Sequence, residues 1–231
     1  MQRIFAVIAI VATYCVASGT AWAADCVAGQ QFRFVRGQGR VWLHVPDVVV
    51  LTRAGDSRIA LVRDAVEFWN KQLTEMGSGF RLGAVKLADI TSADEDYVAA
   101  ASEHVLQGGG PFTDAPERYR AHCGSILVVL ATNQFVSFGG GVPPFGLVLV
   151  GIKGGDQYPF QMPNVARNVI AHEIGHAIGL GHNADPTMLM CGRPASCRPE
   201  IYESASARYF PLTGGEKARL AATYPRGWPG N

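Results

Sequence analysis

Residues 172–182 read His-Glu-Ile-Gly-His-Ala-Ile-Gly-Leu-Gly-His, and this stretch decides how the rest of the chain is interpreted. On a helix, His172 and His176 are four residues apart, so their rings project from one face and can reach one metal ion together. Glu173 is turned away from direct ligation, but it is close enough to contact a water molecule at that ion. The stretch therefore predicts a helix that bears two metal ligands and a carboxylate.

The third histidine requires a turn, because a continuous helix would rotate His182 away from the face shared by the other two. Gly179 lies where that turn is needed, since glycine accepts the left-handed backbone conformation that ends many helices. After the turn, His182 would supply a third nitrogen and leave the fourth tetrahedral position for water. The spacing thus predicts one catalytic Zn²⁺ ion held by His172, His176 and His182, although each histidine taken alone would be an ordinary polar residue.

The next residues, His182 to Met190, read His-Asn-Ala-Asp-Pro-Thr-Met-Leu-Met. They resemble the segment between the third zinc ligand and the methionine turn of metzincin metalloproteases, with a spacing closest to the matrixin branch. The resemblance implies that Met190 is the turn methionine, a hydrophobic floor below the zinc. Met188 is the alternative, and ordinary core positions for both remain open. The resemblance also implies a zinc metalloendopeptidase, in which Glu173 would serve as general base and then as general acid while water attacks a peptide bond.

By the same resemblance, the fold is expected to be α/β (α+β), a metzincin-like zincin catalytic domain. A twisted mixed sheet would pack on two long helices, and the active-site helix would be followed by the methionine turn and a C-terminal helix. Apolar residues at helical spacing from Ile59 to Met76 predict one such helix, ended by Gly77. The run Ile126–Leu130 predicts a central strand. Thr213 and Glu216 form a capping-box pattern that predicts the closing helix.

Other segments give weaker signals. We expect an edge strand, or a strand followed by a turn at Pro46, within Val41–Val50, and a half-buried strand at Phe80–Leu87. Asp89–Pro116 has no sustained period and predicts a long surface insertion. Phe138–Gly146 predicts an irregular loop, which is a candidate for peptide binding because the corresponding part of matrixins offers a strand edge to substrate.

Two further local predictions concern calcium and the start of the metal-bearing helix. Asp94, Glu95 and Asp96 could contribute to a Ca²⁺ site, but their spacing favours a solvated acidic loop, so Ca²⁺ is left open. The metal-bearing helix is expected to begin near Pro163 or Asn164.

The N-terminus has the form of an export signal. Arg3 is followed by an apolar run from Ile4 to about Ala17 and then by Ala21-Trp22-Ala23. This pattern predicts a signal peptide at residues 1–23, an N-terminal extension at 24–40 and a catalytic domain at 41–231. The protein is therefore expected to be secreted, extracellular or periplasmic; a retained signal anchor is the alternative.

Removal of the signal peptide would leave four cysteines: Cys26, Cys123, Cys191 and Cys197. An even number in an exported chain indicates two disulfides. We prefer the pairs Cys191–Cys197 and Cys26–Cys123. A Cys26 thiolate that blocks the zinc, as a propeptide cysteine does in matrixins, is the alternative, but the motif that surrounds such a cysteine is missing here.

Composition restricts the partners. The formal net charge is +1 and the basic residues are scattered, so neither nucleic acid nor an anionic membrane is indicated. We expect a monomer that acts on a protein or peptide and has no stable membrane insertion after signal cleavage. A zinc hydrolase acting on cell-wall peptide amides and a non-catalytic zinc-bound binding module remain alternatives, although Glu173 counts against the second.

The sequence departs from the matrixin pattern in two further places. Cys191-Gly192-Arg193-Pro194 replaces the residues that shape the specificity pocket, so the depth of that pocket stays open. The pattern for a second, structural zinc is also missing, and we therefore predict a single zinc ion.

Overall fold

The computed structural model describes residues 30–36, 39–108, 112, 114–141, 145–192, 197 and 207–228. These residues form a five-stranded sheet, a two-stranded hairpin and four α-helices. In chain order the elements are β1 (Phe32–Val35), β2 (Gly39–Trp42), β3 (Val48–Thr52), α1 (Arg58–Glu75), β4 (Val85–Asp89), α2 (Ser92–Leu106), β5 (Ile126–Leu130), β6 (Phe138–Gly141), β7 (Val148–Ile152), α3 (Pro163–Ala177) and α4 (Gly214–Thr223).

The large sheet is mixed. Its strand order is β4-β3-β5-β7-β6, and every neighbouring pair is parallel except β6 with β7, which is antiparallel. Strands β3, β5 and β7 are buried along their whole length. This burial explains their continuous apolar sequences, because a parallel strand covered on both faces has no solvent side. Because β6 is the last strand in this order, it forms one edge of the sheet.

Helices cover both faces of this sheet. On one face, α1 and α3 pack through buried residues such as Trp69, Ile170 and Ile174. On the other face, α2 contributes Val98 and Ala101 to a second, smaller apolar cluster. The predicted α+β fold with two long helices against a mixed sheet is confirmed, and α2 is an additional layer.

Several local predictions are confirmed. Helix α1 ends just before Gly77, whose φ of 72° is the left-handed conformation expected of a glycine at a helix end. Ile126–Leu130 is a central buried strand. Thr213 and Glu216 form the predicted capping box at the start of α4.

The prediction of an irregular insertion at Asp89–Pro116 is wrong, because α2 occupies much of it. The helix lacks a strong stripe of large apolar residues, and this absence concealed it in the sequence. Two of the three acidic residues near its start, Asp94 and Glu95, are buried, whereas Asp96 is exposed. Asp94 accepts hydrogen bonds from the backbone N–H and hydroxyl of Thr91, each at 2.7 Å, and pairs with Arg118 at 2.9 Å.

Glu95 is also committed to protein partners. It pairs with Arg53 at 2.7 Å and accepts hydrogen bonds from the backbone N–H and hydroxyl of Thr132, each at 2.7 Å. Burial alone would raise the pKa of Glu95, but these donors hold that pKa below its ordinary value. Two of the three carboxylates considered for Ca²⁺, those of Asp94 and Glu95, are thus bound by donors of the protein itself.

Other boundaries also differ from the predictions. The 41–50 segment contributes to two strands in different sheets, with Pro46 in the break between them, and β3 is not an edge strand. The predicted strand at Phe80–Leu87 begins later, at Val85, because Phe80 is buried in a stack with Tyr224 whose ring centroids are 4.1 Å apart.

At the start of α3, Pro163 occupies the first turn and Met162 is the N-cap, so Asn164 does not cap the helix. None of the described helices combines the length and the apolar character that crossing a bilayer requires.

Candidate metal centre

Helix α3 ends in the turn that the sequence predicts. The backbone N–H of Gly179 donates to the carbonyl of His176 at 3.1 Å, and that of Leu180 donates to the carbonyl of Gly175 at 3.0 Å. Gly179 has a φ of 102°. This pair of hydrogen bonds is a Schellman motif, in which a left-handed residue closes the helix. The turn redirects the chain so that His182 returns toward the helix.

The three predicted ligands converge. The Nε2 atom of His176 lies 3.0 Å from the Nε2 atoms of both His172 and His182. One nitrogen from each ring lies within 4.8 Å of the other two, and these histidines form the one such cluster found among the described residues. For Zn–N bonds of about 2.0–2.1 Å, tetrahedral ligand nitrogens are about 3.3 Å apart. The spacing therefore suits one zinc ion.

The opposite ring nitrogens support this fit. Nδ1 of His172 lies 2.7 Å from the carbonyl oxygen of Leu189, and Nδ1 of His176 lies 2.8 Å from that of Leu180. A carbonyl can only accept, so each Nδ1 is protonated and donates, which leaves the Nε2 lone pair free in a neutral ring. These lone pairs can bind a metal cation placed between the rings, and backbone carbonyls commonly orient metal-binding histidines in this way.

The electrostatics of the helix ligands agree. Burial lowers the pKa of His172 to about 4 and that of His176 to about 3, so both rings stay neutral at neutral pH. Glu173 is 6% exposed, and burial raises the pKa of its carboxyl to about 8. These values describe the protein without a metal ion.

Met190 lies where the resemblance places the turn methionine. It is fully buried, whereas Met188 is partly exposed. A Cβ added to Gly175 would lie 2.6 Å from the Met190 sulfur. Gly175 lies on α3 between Glu173 and His176. Because Gly175 has no side chain, Met190 has space to pack directly under the ligand-bearing helix. The geometry favours Met190 over Met188 as the floor of the site.

A cavity of about 570 Å³ opens at the histidines and Glu173. Its other walls are largely apolar, and they include residues at the end of α2, around the start of β6 and in the turn after α3: Val105, Leu106, Val136, Phe138 and Leu180. A second cavity, of about 300 Å³, shares Val136, Ser137 and Glu173 with the first. Sequence reasoning missed the wall formed by α2 because it missed the helix.

Strand β6 runs beside α3, where the sequence predicts an irregular loop. A Cβ on Gly139 would lie 2.1 Å from the backbone oxygen of Glu173. Only glycine permits so close an approach of strand and helix. The glycine run that resembled a loop is thus what allows an edge strand to border the metal centre.

The disulfide expected after the methionine turn is present between Cys191 and Cys197, with Cα atoms 5.9 Å apart. Cys123 is also disulfide-bonded, while Cys26, its predicted partner, lies outside the described residues. The region after Gly192, which would complete the specificity pocket, lies mostly outside them as well.

Comparison with known proteins adds a family match. The family model described as matrixin matches residues 60–200, more than half of the 231-residue chain. No curated protein matches the chain. The crystal structure of archaemetzincin from Methanopyrus kandleri is similar at 17% identity, covering 83% of this chain and 98% of that chain, with a TM-score of 0.44. Metalloproteinase-II from Bacteroides fragilis is similar at 13% identity, covering 80% of this chain and 54% of that chain, with a TM-score of 0.48. The range matched by the family model contains the three histidines and Met190.

Proposed function

The chain belongs to the matrixin family of zinc metallopeptidases, and on this premise we propose that it is a secreted endopeptidase with Glu173 as its general base and acid. The observation that supports the proposal most is the convergence of three Nε2 atoms at a cavity that Glu173 also lines. His172, His176 and His182 would hold the zinc ion. A zinc ion in this position lowers the pKa of a water molecule to about 7 and polarises a carbonyl oxygen.

The role of Glu173 follows from its place on α3 between the two helical ligands. Its carboxylate would accept a proton as the water oxygen bonds to the carbonyl carbon of the scissile peptide. When the C–N bond breaks, the same proton would pass to the departing amine nitrogen, which restores the carboxylate. Glu173 lines both cavities, so this residue borders the space where substrate would lie.

The substrate class is proposed from the shape of the cleft. Strand β6 pairs with β7 on one side and is the last strand of the sheet on the other. An extended peptide could add its backbone along this edge, which gives affinity with little dependence on sequence. The apolar walls contributed by Val105, Leu106 and Val136 suit apolar side chains near the scissile bond.

Export is proposed from the N-terminal sequence, which lies outside the described residues. The signal-like pattern ending at Ala23 supports it. The disulfide between Cys191 and Cys197 also supports it, because such bonds persist mainly in oxidising compartments.

Substrate assays test the activity. We expect the exported protein to cleave an unstructured protein such as casein, to lose this activity with a zinc chelator, and to recover it when Zn²⁺ is restored. Peptidoglycan fragments are assayed in parallel. Release of cell-wall peptides without cleavage of casein would favour the cell-wall amidase instead. Zinc binding without cleavage of either substrate would indicate a binding module.

A further inference from the structure

The last carbonyls of α3 are held by side chains from distant parts of the chain. The carbonyl of His176 accepts a hydrogen bond from Arg40 Nη1 at 3.4 Å. The carbonyl of Ala177 accepts one from Trp42 Nε1 at 3.0 Å, and the carbonyl of Ile178 accepts one from the Tyr224 hydroxyl at 3.0 Å. Carbonyls at a helix C-terminus lack partners within the helix and carry partial negative charge. Two of the three donors belong to β2 of the N-terminal hairpin.

Arg40 joins this helix end to the edge strand. Its Nη2 donates to the carbonyl of Gly140, the residue at the irregularity in the β6–β7 pairing. The guanidinium also lies near two rings of the hairpin, 5.5 Å from the centroid of Phe32 and 5.6 Å from that of Phe34. Arg40 is 6% exposed. A planar group with several donors in fixed directions can bridge two acceptors in this way, which a lysine cannot reproduce.

The hydrogen bonds of Arg40 lie next to the metal centre. His176 precedes the turn that leads to His182, and a Cβ on Gly39 would lie 3.3 Å from the carbonyl oxygen of Gly179 in that turn. The hairpin backbone therefore lies directly against the turn. Gly140 belongs to the strand along which the proposed substrate would lie. If the guanidinium moved, the turn after His176 and strand β6 would shift relative to each other.

We propose that Arg40 is a positioning residue that fixes the metal-bearing turn against the edge strand, and that the β1–β2 hairpin is a permanent part of the active enzyme. An effect of Arg40 on substrate binding rests on the proposed function, whereas an effect of Arg40 on zinc binding does not. The predicted boundary between the N-terminal extension and the catalytic domain falls inside β2. If the hairpin is needed, proteolytic cleavage between residues 30 and 40 would lower the peptidase activity and would not activate the enzyme.

The test compares Arg40→Met and Arg40→Lys with Arg33→Met, an exposed arginine on the same hairpin. Zinc affinity is measured by chelator competition without substrate, kcat and KM are measured with a peptide, and Tm reports folding. We expect Arg40→Met to weaken zinc binding by about tenfold, as loss of groups that orient metal ligands does, and to raise KM. Arg40→Lys should show smaller losses of both kinds, and Arg33→Met should match the wild type.

A folded Arg40→Met protein with the zinc affinity and KM of Arg33→Met would overturn the proposal. If Arg40→Met does not fold, Arg40→Lys decides, and wild-type values of both quantities in that variant would overturn it equally. Should the wild-type protein bind zinc but cleave no peptide, the proposed function fails, while the effect of Arg40 on zinc affinity still tests its positioning role.

Discussion

Glu173→Gln should lower kcat by about 10³-fold while zinc remains bound at one ion per chain. Glutamine preserves the size of the side chain but cannot accept the proton of the attacking water, and general acid–base catalysis contributes about 10²- to 10⁴-fold in enzymes. The metal ligands are untouched by this change, because the three histidine nitrogens that face one another come from other residues. The measurement is kcat on a peptide substrate together with the zinc content of the same sample.

Glu67→Gln is the matched control, since Glu67 is an exposed carboxylate on α1. It should retain wild-type kcat. Wild-type turnover in Glu173→Gln would remove Glu173 from the mechanism. A loss of zinc in that variant would instead assign Glu173 a part in holding the metal, contrary to the role proposed for it.

His182→Ala should weaken zinc binding by more than about 100-fold, which is the upper end of the loss caused by removing groups that only orient the ligands. His182 is the ligand after the turn, so its removal leaves the two helical histidines and their carbonyl partners in place. When less than one Zn²⁺ ion is supplied per chain, the peptidase activity of this variant should fall because less zinc is bound. Chelator competition gives the dissociation constant, and added Zn²⁺ should restore little activity.

His122→Ala is the comparison for this variant, because His122 lies outside the histidine cluster. It should bind zinc as the wild type does. Equal zinc affinity in His182→Ala and His122→Ala would show that the third histidine is not a ligand.

The metal centre could be predicted from sequence because its geometry is local. Helical spacing places His172 and His176 together, and a single glycine supplies the turn toward His182. All three lie within eleven residues, so few conformations are compatible with the pattern. The central strands were predictable for a related reason, since burial on both faces requires a continuous apolar run such as Ile126–Leu130.

The surroundings of the centre were not predictable in this way. Helix α2 packs on the sheet through small residues such as Ala101, which give only a weak helical period. Strand β6 is rich in glycine, a residue depleted in strands, and Gly139 is required by contact with a helix over 30 residues further along the chain. Arg40 lies 136 residues from the carbonyl of His176 and 100 from that of Gly140. Contacts of such separation leave no periodic signal in one sequence.

The central claim is that three histidine nitrogens bind one zinc ion, and anomalous diffraction at the zinc edge tests it most directly. Crystals of the protein grown with one equivalent of Zn²⁺ should give a single peak about 2.0–2.1 Å from the Nε2 atoms of His172, His176 and His182. A peak bound elsewhere, or three rings that point in separate directions around no peak, would contradict the account.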